Sequence, residues 1–190
     1  KGLPAGEYIL RETAAPNGYT IAKDVKFTVT DELKAAETVV MKNAPIEVNI
    51  SKTDITTGKE LPGATRQILK KVKAATDAGE EVEKEETVIT IYGEKLEWKS
   101  TGEPKNIKGL PAGEYILRES AAPDGYTVAA DVTFTVTDEL KAVETVEMQD
   151  APIETVISKV DMADTAKELP GATLQILKKV TAEDGTTSEE

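Results

Sequence analysis

Apolar and polar side chains alternate along several short stretches of this chain, and turn signals separate the stretches. The clearest alternations cover residues 25–29, 46–52, 115–119, 132–136 and 146–150. A period of two is typical of strands that bury one face and expose the other. The pairs Asn17-Gly18 and Asp124-Gly125 are favoured in tight turns. Many short strands with little helical periodicity predict an all-β fold, most simply a β-sandwich.

The whole pattern repeats with an offset of 107 residues. The phrase GLPAGEYILRE occupies residues 2–12 and returns at 109–119, and FTVTDELKA returns likewise. A period of this length suits one compact domain per repeat, because a solenoid turn is much shorter. We therefore predict the C-terminal part of a repeat in residues 1–45, a complete repeat in 46–151 and the N-terminal part of the next in 152–190.

The junction between the first two segments is short. A predicted strand begins at Ile46, directly after Ala44-Pro45, and no stretch rich in glycine or serine intervenes. Such a connection should hold successive domains in a stiff, rod-like arrangement, because only flexible linkers let domains reorient freely.

Several stretches have a less regular pattern. Residues 39–43 have strand parity and are predicted to close the first segment, whereas residues 31–37 are predicted to form a connecting turn. The run 73–86 is polar and acidic, which predicts a solvated loop. Residues 87–92 are rich in β-branched side chains and predict a strand, and Trp98 is expected at an edge of the core.

The third segment is expected to restart the strand pattern through Ile157 and to repeat the LPGAT turn at Leu169. The letters of LPGAT are out of order for an LPxTG sortase signal, so we interpret it as a turn. Leu174 in this segment aligns with Arg66 of the complete repeat. An arginine therefore occupies a position that has the parity of the core.

Composition excludes several kinds of function. The chain has 190 residues, 39% of them hydrophobic, which is enough for folded domains, and a net charge of −12, which argues against binding nucleic acid. No apolar run approaches the roughly 20 residues that span a bilayer. Cysteine and histidine are both absent. Their absence removes disulfides, thiolate and histidine catalysis and most transition-metal sites, and no EF-hand spacing appears, so we expect neither metal nor cofactor.

Three strands of the complete repeat each carry a charged residue with the parity of the core, namely Lys52, Glu119 and Asp150. A lone charge is costly to bury, so we expect the three to lie close together. One interpretation is a partly buried cluster of salt bridges. The other is a set of groups that react with one another, and parity alone does not decide between them.

Burial lowers the pKa of a lysine ammonium and raises that of a carboxyl group, so the neutral forms of both become accessible. Attack of Lys52 on Asp150 with loss of water would leave an amide that joins the two side chains. Glu119, held protonated, could polarise the carbonyl and shuttle protons. Holding the groups together supplies an effective molarity of up to about 10⁵–10⁸ M.

The phrases ISKTD, GKELPGA, GLPAGEYILRE, AAPDGYT and MQDAP resemble those of CnaB-type domains, which are also called SpaA-like or prealbumin-like, of Gram-positive surface proteins and pilins. The resemblance covers essentially the whole chain. It implies tandem Ig-like or prealbumin-like β-sandwich repeats of about 107 residues on the cell wall or surface of a Gram-positive bacterium. In that family a first-strand lysine bonds spontaneously to Asn or Asp on the last strand, assisted by Glu; by motif position these are Lys52, Asp150 and Glu119.

The partial segments carry complementary parts of the same set. The resemblance matches Glu12 to the assisting acid, Asn43 to the acceptor and Lys159 to the nucleophile. The tail of one chain could dock on the head of another and join Lys159 to Asn43 with loss of ammonia, giving head-to-tail covalent polymers. Such a sandwich would lack the counterpart of the Trp98 strand. A segment of a longer array, with neighbouring repeats as its partners, is therefore the simpler interpretation.

Two functions are compatible with these features. The first is a structural stalk or spacer of a surface protein or pilus, in which a staple between the first and last strands carries pulling force. The second is an adhesin that binds a host matrix protein or glycan, but acidic loops with few aromatic residues offer no obvious binding patch. A turnover enzyme is disfavoured, because the reactive groups would be consumed by the bond that they make.

Overall fold

The computed structural model describes residues 2–32, 37–76, 80–181 and 186–189. These residues form strands and no helix, which confirms the all-β prediction. In chain order the strands are β1 (Gly6–Leu10), β2 (Val25–Val29), β3 (Glu47–Asp54), β4 (Thr65–Ala75), β5 (Glu81–Thr87), β6 (Glu97–Lys99), β7 (Lys105–Lys108), β8 (Gly113–Ala121), β9 (Val132–Val136), β10 (Glu144–Asp150), β11 (Lys179–Thr181) and β12 (Thr187–Glu189). The part of the chain described contains no helix long and apolar enough to cross a membrane.

The chain divides into two compact units, Lys1–Ile153 and Glu154–Glu190. In the first unit, β1 and β2 pair antiparallel and the Tyr8 and Phe27 rings stack with centroids 5.5 Å apart. Strands β8 and β9 pair in the same way, with the Tyr115 and Phe134 rings 5.6 Å apart. The two copies of the repeated phrase thus fold into the same antiparallel pair.

Two sheets build the complete repeat. The first sheet has the order β10-β3-β7, and β10 runs parallel to β3. The second has the order β5-β4-β8-β9, with β6 also paired to β4. Apolar side chains from both sheets, such as Ile50, Ile68 and Leu117, form one buried core between them. The first and last strands of the repeat therefore lie side by side in one sheet.

The first segment contacts the complete repeat through the turn at Gly18. Ile46 N donates to Gly18 O at 2.9 Å, and Ile21 N donates to Asp138 O at 2.7 Å. Gly18 has a φ of +77°, and a Cβ atom there would lie 2.7 Å from Ile91 Cγ2. Only glycine fits this position without displacing its neighbour, so the two segments pack closely at their junction.

The described parts of the polar run 73–86 form two paired strands, so the predicted solvated loop is wrong there, and residues 77–79 lie outside the described residues. Strands β4 and β5 pair antiparallel through it, with Lys73 Nζ 3.2 Å from Glu81 Oε2 and Lys71 Nζ 3.7 Å from Glu83 Oε2. All four side chains are exposed. The prediction failed because this part of the pair is solvated on both faces, so no apolar alternation marks it. Cross-strand pairs of opposite charge help to hold it instead.

The strand predicted over 87–92 is also largely wrong. Thr87 ends β5, Ile89 makes an isolated bridge, and residues 91–92 lie in a turn. Gly93 completes this turn with a positive φ. The preference of Gly93 for a turn therefore outweighs the preference of the preceding β-branched residues for a strand.

The strand predicted over 39–43 is not formed, whereas part of the connecting turn predicted at 31–37 lies outside the described residues. In the complete repeat the corresponding strand is β10, which pairs with β3. The first segment includes no counterpart of β3. Without that neighbour the backbone groups of 39–43 have no ladder to join.

In the unit Glu154–Glu190, the described residues form the antiparallel pair β11–β12 and a bridge between Val160 and Glu168. The strand predicted through Ile157 is not formed, and the side chains of Ile157 and Leu174 are exposed. Strand-like sequence alone does not make a sheet when the unit offers no second face to cover it.

Candidate cross-link site

Lys52 and Asp150 come from neighbouring strands of the first sheet. Alternation along β3 places Lys52 on the same inner face as Ile50. In the parallel register of β3 and β10, Lys52 lies opposite Met148, so Asp150 is two positions further along on that face. Diagonal neighbours of this kind are within reach of a long side chain.

Glu119 reaches the same place from the facing sheet, because it shares the inner face of β8 with Tyr115 and Leu117. Its Oε1 lies 3.2 Å from Lys52 Nζ, and Lys52 Nζ donates a short hydrogen bond to Asp150 Oδ1. All three side chains are 0% exposed. The structure thus brings the three predicted residues of the complete repeat together in a site closed to bulk water.

Burial dominates the electrostatics of Glu119. Desolvation raises the pKa of its carboxyl group, and the negative charge of Asp150 acts in the same direction. The hydrogen bond that Ala129 N donates to Glu119 Oε2 at 2.7 Å lowers the pKa, as does the charge of Lys52. The net shift is upward, so the protonated form of Glu119 is accessible near neutral pH more readily than for a carboxyl in water.

The carboxyl oxygens of the cluster are incompletely paired. Asp150 Oδ2 accepts no hydrogen bond from any residue that the structure describes, and Glu119 Oε1 has only the ion pair with Lys52 Nζ at 3.2 Å. A buried polar atom left unsatisfied costs about 1–3 kcal/mol. As a set of ionic groups alone, the cluster is therefore an expensive way to join two sheets.

Glu60, which the sequence analysis did not single out, fixes the backbone around Lys52. Its carboxylate accepts a short hydrogen bond from Ser51 Oγ and one from Lys52 N at 3.1 Å. The corresponding pair Ser158 and Glu168 makes the same short bond. The repeated KELPGA phrase could have drawn attention to this glutamate. Its contact with Lys52 could not be predicted, because it depends on how the turn folds back onto β3.

The first segment brings together Glu12 and Asn43, the residues that the motifs match to the assisting acid and the acceptor. Asn43 Nδ2 donates to Glu12 Oε2 at 2.6 Å and to Thr20 O at 3.0 Å. Ala22 N also donates to Glu12 Oε2, at 2.6 Å. The structure thus pairs Glu12 with Asn43 as the motif positions predict.

Lys159 lies apart from any such pair within its own unit, Glu154–Glu190. Its side chain is exposed, and its carbonyl oxygen accepts a hydrogen bond from Leu169 N at 2.7 Å. The turn that holds the backbone of a first-strand lysine is therefore present there, although no strand has formed.

Arg66 is fully buried beside the cluster, as its parity predicted. It lies opposite Glu119 on one side and opposite Trp98 on the other. Its guanidinium carbon is 5.1 Å from the centroid of the Trp98 ring, a distance typical of a cation–π contact. Among the described residues, no group of three or more Asp and Glu side chains is arranged to hold a metal ion.

Comparison with known families and structures gives a consistent picture. Residues 1–45 and 46–152 each match the family model described as "SpaA: Prealbumin-like fold domain", which confirms the resemblance drawn from the motifs. A search of curated proteins finds no match.

Among solved structures, the chain is 26% identical to a streptococcal ancillary pilin over 80% of this chain and 44% of that one, with a TM-score of 0.40. It is 28% identical to the Bacillus anthracis TIE protein over 98% of this chain and 32% of that one, with a TM-score of 0.43. It is 21% identical to the shaft pilin SpaA from Lactobacillus rhamnosus GG over 80% and 66%, with a TM-score of 0.42. The chain spans less than half the length of the first two.

Proposed function

Because the chain belongs to the family of SpaA domains with a prealbumin-like fold, we propose that it is a structural segment of a Gram-positive surface protein or pilus, stapled by an isopeptide bond between Lys52 and Asp150. The observation that carries the proposal is the contact between the buried Lys52 amine and the buried Asp150 carboxyl, with Glu119 beside them. Neighbouring repeats of the same array are its partners in this proposal.

The proposed reaction is a condensation. The neutral amine of Lys52 attacks Cγ of Asp150 while protonated Glu119 gives its proton to a carboxyl oxygen of Asp150, so that an Nζ–Cγ bond forms. Glu119, now a carboxylate, takes the proton that the amine loses and returns it to the departing hydroxyl, so that the Cγ–O bond breaks and water leaves. Lys52 and Asp150 are consumed by the bond, so the chemistry is a single turnover and not that of an enzyme.

Energetics favour this reaction over a permanent salt bridge. Two ions taken out of water repay their desolvation only when their remaining oxygens and protons are well paired. Asp150 Oδ2 has no hydrogen bond among the described residues, and the two carboxyl groups share one cation, Lys52. Amide formation neutralises both Lys52 and Asp150 and so removes most of that cost.

The position of the bond suits a load-bearing role. Strands β3 and β10 are the first and last of the complete repeat and lie side by side in parallel. A bond between them passes tension from one end of the repeat to the other without loading the hydrogen bonds of the sheets. It also closes a loop of 98 residues, which on disulfide loop-entropy arithmetic contributes roughly 4–5 kcal/mol.

The pair Glu12 and Asn43 supports the same chemistry with an asparagine acceptor, from which ammonia would leave. Its amide nitrogen already donates to the acid at 2.6 Å. A first-strand lysine of the same repeat would complete the set.

The mass of the full chain tests the proposal. We expect wild type to be lighter than its sequence by one water, whereas Glu119→Ala has the full mass because the proton shuttle is lost. Glu114→Ala is the matched control, since Glu114 lies on the same strand with its side chain exposed and should leave the water loss intact. A wild-type chain of unmodified mass would refute the cross-link.

A further inference from the structure

Arg66 and Trp98 form one row across the second sheet with Glu119. On β4, Arg66 is opposite Glu119 of β8 and Trp98 of β6, so the three side chains share the inner face. Arg66 is 0% exposed, which is rare for an arginine, because the guanidinium remains charged in proteins. A fixed positive charge is thus enclosed in the core beside the acid of the cross-link site.

This charge is not neutralised by a direct partner. Arg66 Nε and Nη1 have no hydrogen bond with any residue that the structure describes. Burial lowers the pKa of the guanidinium, and the charges of Glu60, Glu119 and Asp150 oppose that effect. The anions that balance Arg66 therefore lie around the cross-link site rather than in an ion pair of its own.

The remaining charged groups near this row are accounted for elsewhere. Glu60 is half-buried and binds Ser51 and the backbone of Lys52. Lys105 of β7 lies 5.5 Å from the Trp98 ring, is partly exposed and pairs with Glu94 at 2.7 Å. Asp54, buried opposite Asp150 on β3, accepts a hydrogen bond from Tyr126 Oη at 2.8 Å. The titratable and charged groups around the site are therefore Lys52, Asp54, Glu60, Arg66, Lys105, Glu119, Tyr126 and Asp150.

We propose that Arg66 is an electrostatic positioning residue for the cross-linking reaction, where its fixed, buried charge beside Glu119 balances the carboxylate that accepts the amine's proton. The inference rests on the proposed function, and it gives the buried charge of Arg66 a role at a position where the third segment has Leu174.

The charge of the reactive state determines what Arg66 contributes. That state has a neutral amine, one protonated carboxyl and one carboxylate. The positive charge of Arg66 balances the carboxylate. The four groups together then have no net charge while the Lys52 amine is neutral. Without Arg66 the same state leaves an uncompensated anion in an apolar site, which is costly. Protonating the amine would restore neutrality, but an ammonium has no lone pair with which to attack.

Arg66 also has a role after the bond has formed. Condensation removes the positive charge of Lys52 and the negative charge of Asp150, whereas Glu119 stays in the same surroundings. Arg66 is then the fully buried cation on the neighbouring strand that can offset an ionised Glu119. The site thus keeps a counterion that the reaction does not consume.

The test measures the rate of water loss against pH. The full chain is assembled by chemical synthesis in denaturant, so that it has never folded, and is diluted into buffers from about pH 5 to 9. Intact mass against time gives the rate for wild type, Arg66→Met and Arg66→Lys. Met fills similar volume without charge, whereas Lys keeps a positive charge on a different head group.

We expect Arg66→Met to slow the reaction at neutral pH by about tenfold or more and to move both limbs of the pH–rate profile upward by about one unit, because a nearby positive charge no longer opposes protonation. Arg66→Lys should restore most of the wild-type profile. Circular dichroism identifies any variant that does not fold.

The role of Arg66 would be refuted if a folded Arg66→Met chain had the wild-type pH–rate profile, or if Arg66→Met and Arg66→Lys slowed the reaction equally. Neither result would contradict the cross-link itself. Failure of wild type itself to lose water at any pH would overturn the proposed function instead. If Arg66→Met does not fold, the pH–rate profile of Arg66→Lys is the test. An electrostatic role predicts a profile close to that of wild type, whereas a purely structural role of the guanidinium predicts a profile that differs from it.

Discussion

The complete repeat and the first segment each contain a glutamate at the same motif position, Glu119 and Glu12, in different surroundings. Glu119 accepts a hydrogen bond from Ala129 N at 2.7 Å, and Glu12 accepts one from Ala22 N at 2.6 Å. Glu119 is 4% exposed, whereas Glu12 is only half-buried. The repeated phrase and the residues that follow it therefore fix the position of the glutamate. The sheet that contains β3 is what buries it.

This difference bears directly on reactivity. Desolvation is the largest cause of the raised pKa of Glu119, and it requires that β3 and β10 close the other side of the core. Local structure thus holds Glu12 next to Asn43 without a neighbouring β3. In the complete repeat, β3 brings Lys52 next to Glu119 and helps to bury it.

Removing the nucleophile should produce the largest effect. Lys52→Ala cannot form the bond and leaves Glu119 and Asp150 buried without their cation, so unfolding should become easier by at least about 4–5 kcal/mol. Urea unfolding followed by the fluorescence of Trp98, the only tryptophan, measures this in the complete repeat. Hydrogen exchange in β3 and β10 should rise most.

Lys159→Ala is the matched control, because Lys159 has the same motif position but an exposed side chain in the other unit. We expect its unfolding midpoint to equal that of wild type. An unchanged midpoint for Lys52→Ala would show that packing alone supplies the stability of the complete repeat.

Strand periodicity was sufficient to predict that three charged residues of the complete repeat lie on the inner face, because a period of two assigns each position to a face. Parity placed Lys52, Glu119 and Asp150 inside, and all three are buried. It did not reveal Glu60, whose contact with Lys52 depends on how a turn folds back. Parity also predicted a strand at 39–43 that lacks a neighbour to pair with. Periodicity thus identifies faces, whereas pairing depends on which strands are present.

Disrupting the junction between the first segment and the complete repeat should have a smaller effect on stability. A comparison of two equivalent glycines, Gly18 and Gly125, isolates this effect. Gly18 and Gly125 have φ values of +77° and +85°, so alanine is strained at both. A Cβ at Gly18 would also lie 2.7 Å from Ile91 Cγ2, whereas a Cβ at Gly125 would have no atom within 4 Å. We expect Gly18→Ala to be less stable than Gly125→Ala by about 1–3 kcal/mol.

Scanning calorimetry of the two variants measures this difference, and their shared backbone strain cancels in the comparison. Equal losses would mean that the first segment and the complete repeat are not held by close packing at Gly18. The stiff junction predicted from the short Ala44-Pro45 connection would then lose its structural support.

The central claim is that Lys52 and Asp150 are joined, and tandem mass spectrometry of proteolytic peptides tests it most directly. Two carboxyl groups lie near Lys52 Nζ, so the measurement must identify the acceptor as well as the loss of water. We predict a branched peptide in which Lys52 is linked to Asp150, lighter by one water than its two parts, with Glu119 and Asn43 unmodified. Separate unmodified peptides that contain Lys52 and Asp150, or a branch to Glu119, would contradict the account.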